Sequence, residues 1–211
     1  MPNDGTLVGA LLDLAFNAAS VERISLDVKE IGVTGSKALA EALGRGSFPV
    51  LLRIELNGNN IGDEGAAALA GALERGSFPK LQSILLDDNS IGDEGAKALA
   101  GALEHGAFPG LESLELDGNN IGDEGAKAFA QALERGSFQA LECIWIIGNC
   151  VGVEMRKQLF HAIATMHCRI RLVAFLGAEL ERSPVTPARR FLWRDGDRAA
   201  LTRVLGFLLP L

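Results

Sequence analysis

"LNGNNIGDEGA" (residues 56–66), "LDDNSIGDEGA" (86–96) and "LDGNNIGDEGA" (116–126) are nearly one phrase written three times, 30 residues apart. The phrase is rich in Asn, Asp and Gly. That is the chemistry of a cation loop or a phosphate cradle, and equally of a tight structural turn. Which of the three it is decides the fold.

Outward from the phrase, the period organises most of the chain. Each unit opens apolar–x–x–apolar–x–apolar–x–x–Asn–x–apolar. The copies are Leu51/Ile54/Leu56/Asn59/Ile61, Leu81/Ile84/Leu86/Asn89/Ile91, Leu111/Leu114/Leu116/Asn119/Ile121 and Leu141/Ile144/Ile146/Asn149/Val151. An earlier copy runs Val21/Ile24/Leu26 to Ile31 with Lys29 at the Asn place, and a last one runs Ile170/Val173/Phe175. The second and third apolar positions are two apart, which is strand spacing.

The rest of each unit has helical spacing. From Asp63 to Arg75, the residues Ala66, Leu69, Ala70 and Leu73 form an i, i+3, i+4, i+7 stripe. Asp63 and Glu64 are expected to cap the first turn of their own helix. Gly46, Gly76, Gly106 and Gly136 follow the last turn, where a left-handed C-cap is expected. An apolar plug comes next: Phe48, Phe78, Phe108 and Phe138.

The calcium and phosphate readings fail on spacing. Counted from Asp117 as a calcium loop, position 5 is Ile121 and position 12 is Ala128, where oxygen ligands are required. Gly58, Gly62 and Gly65 match neither dinucleotide nor P-loop spacing, and Asp63-Glu64 would repel an anion from the helix start. The structural reading fits every position. Asn59, Asn89, Asn119 and Asn149 stack as a ladder of buried amides that pair with backbone where the strand turns away. Gly62 and Gly65 are expected to allow a tight turn and close approach of helix to strand.

These units resemble leucine-rich repeats of the ribonuclease-inhibitor-like class, LxxLxLxxNxIGDEGAxALAxAL, the class found in NOD-like receptors and the Ran GTPase-activating protein. The resemblance covers residues 1–176. It implies an α/β solenoid with parallel strands on the concave face and helices on the convex face. Within it, residues 1–20 are expected to be an N-terminal capping half-repeat. Members of the class mostly bind other macromolecules.

Composition narrows the class of partner. The 211-residue chain has a net charge of −7, which argues against non-specific nucleic-acid binding. From Gly177 onward six Arg stand against four Asp/Glu, net +2, leaving −9 on residues 1–176. No apolar run reaches the roughly 18 residues of a membrane span. The start has no basic n-region, and Cys143, Cys150 and Cys168 are an odd number without a CxxC. A reducing, cytoplasmic location is the simplest expectation. Three scattered histidines (His105, His161, His167) match no metal spacing, and no nucleophile stands beside a base in sequence. No catalytic residue, cofactor or metal is expected, and no oligomeric state is indicated.

Side chains between the apolar strand positions face away from the core. The candidate partner-binding residues are therefore Arg53, Glu55, Leu85, Asp87, Glu115, Asp117, Trp145 and Ile147. Six strands at about 4.8 Å each give a face roughly 24 Å long. Residues 177–211, with an amphipathic helix from about Asp197, are expected to cap the solenoid or to bind as an arm. The function expected is a non-enzymatic protein-interaction module or scaffold. A GTPase-activating regulator, or a permanent subunit of a larger assembly, are the alternatives.

Overall fold

The computed structural model of the chain describes residues 18–105, 110–135, 140–141 and 143–165. The chain divides into two units after Phe175, and all described residues belong to the first. Most of the expected half-repeat at 1–20, the strand at 170–175, Phe108, Phe138 and the segment 177–211 lie outside the described residues.

Five short strands alternate with five helices among the described residues. The strands are β1 (Arg23–Ser25), β2 (Arg53–Glu55), β3 (Ser83–Leu85), β4 (Ser113–Glu115) and β5 (Cys143–Trp145). The helices are α1 (Gly32–Arg45), α2 (Gly62–Arg75), α3 (Asp93–Glu104), α4 (Asp123–Glu134) and α5 (Val153–Thr165). The strands form one parallel sheet in chain order. Each residue pairs with the one 30 positions on, so Ile24, Ile54, Ile84, Leu114 and Ile144 make one buried row. The architecture is an α/β leucine-rich-repeat solenoid.

The core lies between sheet and helices. Ile54 of β2 and the flanking Leu51, Leu56 and Ile61 are buried in one cluster with Leu69, Ala70 and Leu73 of α2. Phe48 and Phe78 stack at the far end of the units, ring centroids 5.6 Å apart and 15° from coplanar. Offset stacking of this kind adds to what burial alone contributes.

One expectation about glycine needs correction and one needs widening. Gly46 (φ −92°, ψ 162°) and Gly76 (φ −79°, ψ 177°) are extended, not left-handed. Any residue adopts that backbone, so the reason for glycine is space. A Cβ on Gly46 would lie 2.5 Å from Cε2 of Phe48, and one on Gly76 would meet Phe78 likewise. The plug, not the cap, requires the glycine. Gly62 does stand in the tight turn expected of it (φ 63°). The space at Gly65 is taken both by Ile61 of its own repeat (2.6 Å) and by Cβ of Ser36 in the preceding one (3.0 Å), a pattern repeated at Gly95. Its Cβ would lie 2.8 Å from Oδ1 of Asp63 and 3.0 Å from Cβ of Ala66, as well as 2.7 Å from Ile91.

Left-handed backbone occurs instead in the turn after each strand. Gly58, Gly118 and Gly148 have φ of 66°, 66° and 73°. The equivalent places in the other two repeats hold Val28 (φ 52°) and Asp88 (φ 54°). Asp tolerates this region; a β-branched valine is strained there.

Candidate partner-binding face

Three rows of side chains stand on the sheet face turned away from the helices. The pairing register places Arg23, Arg53, Ser83 and Ser113 in the first row, with the backbone of Cys143 next in register. Ser25, Glu55, Leu85, Glu115 and Trp145 make the second. Asp27, Asn57, Asp87, Asp117 and Ile147 follow each strand and form the third. Strand alternation accounts for the first two rows, because each flanks a buried Ile or Leu.

The third row is a backbone ladder. The N–H of Asn57 donates to Oδ1 of Asp27 (2.7 Å), that of Asp87 to Asn57 (2.8 Å), that of Asp117 to Asp87 (2.8 Å) and that of Ile147 to Asp117 (2.7 Å). Asp87 and Asp117, expected as partner-facing side chains, each turn one carboxylate oxygen to the following repeat. Asp87 is only 3% exposed. Leu85, also expected on the surface, is buried at 9% exposure. The parallel register sets it directly between Glu55 and Glu115, one strand spacing from each.

The other expected residues lie on the face to differing degrees. Arg53 is exposed, while Glu55, Glu115, Trp145 and Ile147 are half-buried. Arg23 reaches Glu55 at 3.6 Å. Opposing charges therefore stand together at the β1–β2 end. The β3–β5 part of the three rows holds carboxylates, Leu85, Trp145 and Ile147, and no Lys or Arg.

Beneath the face runs the ladder of Asn59, Asn89, Asn119 and Asn149. Oδ1 of Asn59 accepts from the N–H of Lys29 (2.9 Å) and Ile31 (3.4 Å), while its Nδ2 donates to the carbonyls of Leu26 (2.7 Å) and Leu56 (2.9 Å). The backbone N–H of Asn59 donates to Oδ1 of Asn89 (2.9 Å), and that of Asn89 to Asn119 (3.0 Å). Ile121 donates to Asn149 at 2.9 Å. Asn59, Asn89 and Asn119 are buried and Asn149 is half-buried. Each amide thus closes groups in its own repeat and in the one before.

A third device joins the repeats near the helix starts. Oδ1 of Asp63 accepts from the N–H of Gly92 (2.7 Å) and Gly95 (2.9 Å). Asp93 does the same for Gly122 and Gly125 (both 2.8 Å), and Asp123 accepts from Gly152 (2.6 Å). These carboxylates were expected to cap their own helices. No side chain caps the N-cap residue of α2, α3 or α4 in that way. For α3 and α4 the cap is supplied from the preceding repeat, because stacking brings its Asp to the front of the next helix, whereas α2 follows a repeat with Val33 at that place.

On the helical side, Lys37 bridges to Glu64 of the next repeat (2.6 Å), and that hydrogen bond holds the Glu64 carboxyl below its usual range. Lys97, hydrogen-bonded to Glu94 (2.8 Å), is raised. Both pairs are exposed and structurally minor. Among the described residues no cluster of three or more His, Cys, Asp or Glu has the geometry to hold a metal. No helix among them is long and apolar enough to cross a membrane.

Comparison with known proteins agrees with this geometry. A family model described as "Leucine Rich repeat" matches residues 49–70, 79–100 and 111–130. No curated protein sequence matches the chain. Among solved structures, the fold is similar to leiomodin-1 actin-binding site 2, at 19% identity and a TM-score of 0.57, over 74% of this chain and 86% of that one. It is also similar to the tropomodulin C-terminal domain of Caenorhabditis elegans, at 15% identity and a TM-score of 0.59, over 75% and 91%. Identities this low speak to fold alone. The family model, the 30-residue parallel register and the Asn ladder together show an array of leucine-rich repeats, similar to those of the ribonuclease-inhibitor-like class.

Proposed function

We propose that the protein is a non-enzymatic interaction module that binds a protein partner through the concave strand face. One observation carries the reading. Core and ladder positions repeat almost unchanged from unit to unit, while the second row changes from Ser25 through Glu55, Leu85 and Glu115 to Trp145. Identity is kept where repeats hold each other and varies where a partner would be met. Arg53, Glu55, Glu115, Trp145 and Ile147 are the contact residues in this reading. Leu85 forms its floor, and Asp87 and Asp117 shape the edge. An odd number of cysteines and the exposed thiol of Cys150 favour a reducing, cytoplasmic setting.

The test is reconstitution. Proteins recovered by proximity labelling are purified and titrated against the full chain, with actin included because one structural relative is an actin-binding site. A stoichiometric complex should form, and Arg53→Glu or Trp145→Ala should weaken it about tenfold or more. Lys127→Glu, on the helical side, should leave it unchanged. A complex indifferent to the face substitutions, or no stoichiometric complex, overturns the reading.

A further inference from the structure

We propose that the occupant of the concave face is an α-helix lying across the strands, with apolar and basic side chains in alternation at i, i+3, i+7 and i+10. This rests on the reading of the face as a protein-binding surface and specifies the partner's chemistry.

The argument begins with the second row. On four consecutive strands it reads Glu55, Leu85, Glu115, Trp145, each in direct register with the next. Acid, apolar, acid and aromatic groups alternate at the strand spacing of about 4.8 Å. A helix rises about 1.5 Å per residue, so its i, i+3, i+7 and i+10 positions advance by roughly 4.5, 6 and 4.5 Å. Ten residues cover about 15 Å, and three strand spacings cover about 14 Å. An extended segment instead presents same-side residues every 6.8 Å or so, and falls out of step by about 2 Å per strand. The row matches a helix and mismatches a strand.

Charge fixes sign and direction. The three rows over β3–β5 carry Asp87, Glu115 and Asp117 and no Lys or Arg, while Arg23 and Arg53 stand on β1 and β2. A helix placed with its N-terminus over β5 and its C-terminus over β2 sets its positive end one strand from Glu115 and Asp117 and its negative end near Arg53. Its apolar side chains then meet Trp145 and Leu85, and its basic ones meet Glu115 and Glu55. Glu55 already pairs with Arg23, and Glu115 has contacts within the chain. The incoming cations therefore join existing networks. Trp145 beside Glu115 also offers an aromatic face to the first cation. A patch this small implies micromolar rather than nanomolar affinity.

The experiment uses the full chain and fluorescein-labelled, lactam-locked helical peptides read by anisotropy. One peptide carries Leu, Arg, Leu, Arg at i, i+3, i+7 and i+10 in an Ala/Gln background. The second has the same composition with those four residues scattered around the helix. The third replaces Arg by Glu. The patterned peptide should bind with micromolar affinity that weakens with salt, and the other two at least tenfold more weakly. Glu115→Gln and Trp145→Ala should each cost about tenfold, with circular dichroism confirming that both remain folded. The double variant Glu55→Lys/Glu115→Lys should reverse the preference towards the acidic peptide.

Equal binding of scattered and patterned peptides, or no binding of the patterned one, overturns the proposal. If the peptide fails while Trp145→Ala still releases a reconstituted protein partner, the helix is wrong and the face reading stands. If that partner ignores every face substitution, both fall.

Discussion

Asp63 belongs to one repeat, yet its carboxylate caps the helix of the next, with Oδ1 2.9 Å from the N–H of Gly95. Two donors of α3 depend on it, Gly92 and Gly95. Asp63→Ala should therefore destabilise the protein by about 1–2 kcal/mol, the usual range for loss of an N-cap. Asp63→Asn keeps the acceptor oxygen and should lose less. Urea denaturation gives the totals, and hydrogen exchange gives the address. Faster exchange at Gly92 and Gly95 is expected; a loss confined to α2 would refute a cap supplied across the repeat boundary.

Asn89→Ala should cost more than a typical surface change. It removes hydrogen bonds from Nδ2 to the carbonyls of Leu56 (2.8 Å) and Asp87 (2.9 Å), and the acceptor for the N–H of Asn59. Leaving buried backbone groups without partners costs about 1–3 kcal/mol. Asn57→Asp, by contrast, should be close to neutral in thermal melts. Asp27, Asp87 and Asp117 already perform the same acceptor role one or two repeats away.

Two glycines in one helix should respond in opposite directions. Gly95→Ala drives a methyl against Ile91, Asp63 and Ala66, and overpacking of this kind costs about 1–3 kcal/mol. Nothing lies within 4 Å of a Cβ placed on Gly101. Gly101→Ala should therefore stabilise α3 by about 0.5–1 kcal/mol. Paired chemical denaturation curves test both signs at once.

Val28→Gly should stabilise the protein. Its left-handed backbone (φ 52°) stores about 1–3 kcal/mol of strain, against about 0.5–1 kcal/mol of extra chain entropy lost by glycine. The side chain is 74% exposed, so little burial is forfeited. A lower melting temperature would show that the turn gains more from the valine than local geometry reveals.

The period made much of this legible. The Leu and Ile of the repeated phrase and its first conserved Asn (Asn59, Asn89, Asn119) are buried in the core or the ladder, because a stacked array offers each of them the same surroundings, whereas the following Asn60 and Asn120 are exposed. What stayed hidden involves partners 29–32 residues apart, as for Asp63 with Gly92 and Gly95. A helix-start Asp looks like a local cap, and only the distance between stacked units shows which helix it serves. The row Asp27, Asn57, Asp87, Asp117 carried a signal in its own repetition of acceptor side chains. Strand alternation pointed those residues outward and concealed their second duty. Leu85 was misplaced because exposure depends on neighbours in the adjacent strands, which alternation within one strand does not describe. Gly76 shows a similar limit: glycine after a helix has more than one cause, and the ring of Phe78 was the relevant one.

The two side-chain ladders run in opposite senses. An asparagine such as Asn89 reaches back to close its predecessor, and an aspartate such as Asp87 reaches forward to its successor. Every junction is therefore a two-way joint whose halves are the same wherever the array is cut in phase. Excision of residues 61–90 would fuse Asn60 to Ile91 and recreate "NNIGDEG", with Asn119 standing where Asn89 stood. Length then becomes a quantity that unequal recombination can alter one period at a time with both ladders kept in register, although this particular excision would replace the Asp63 cap by Val33. A lineage built this way can shorten or extend its reading surface while the joinery stays constant.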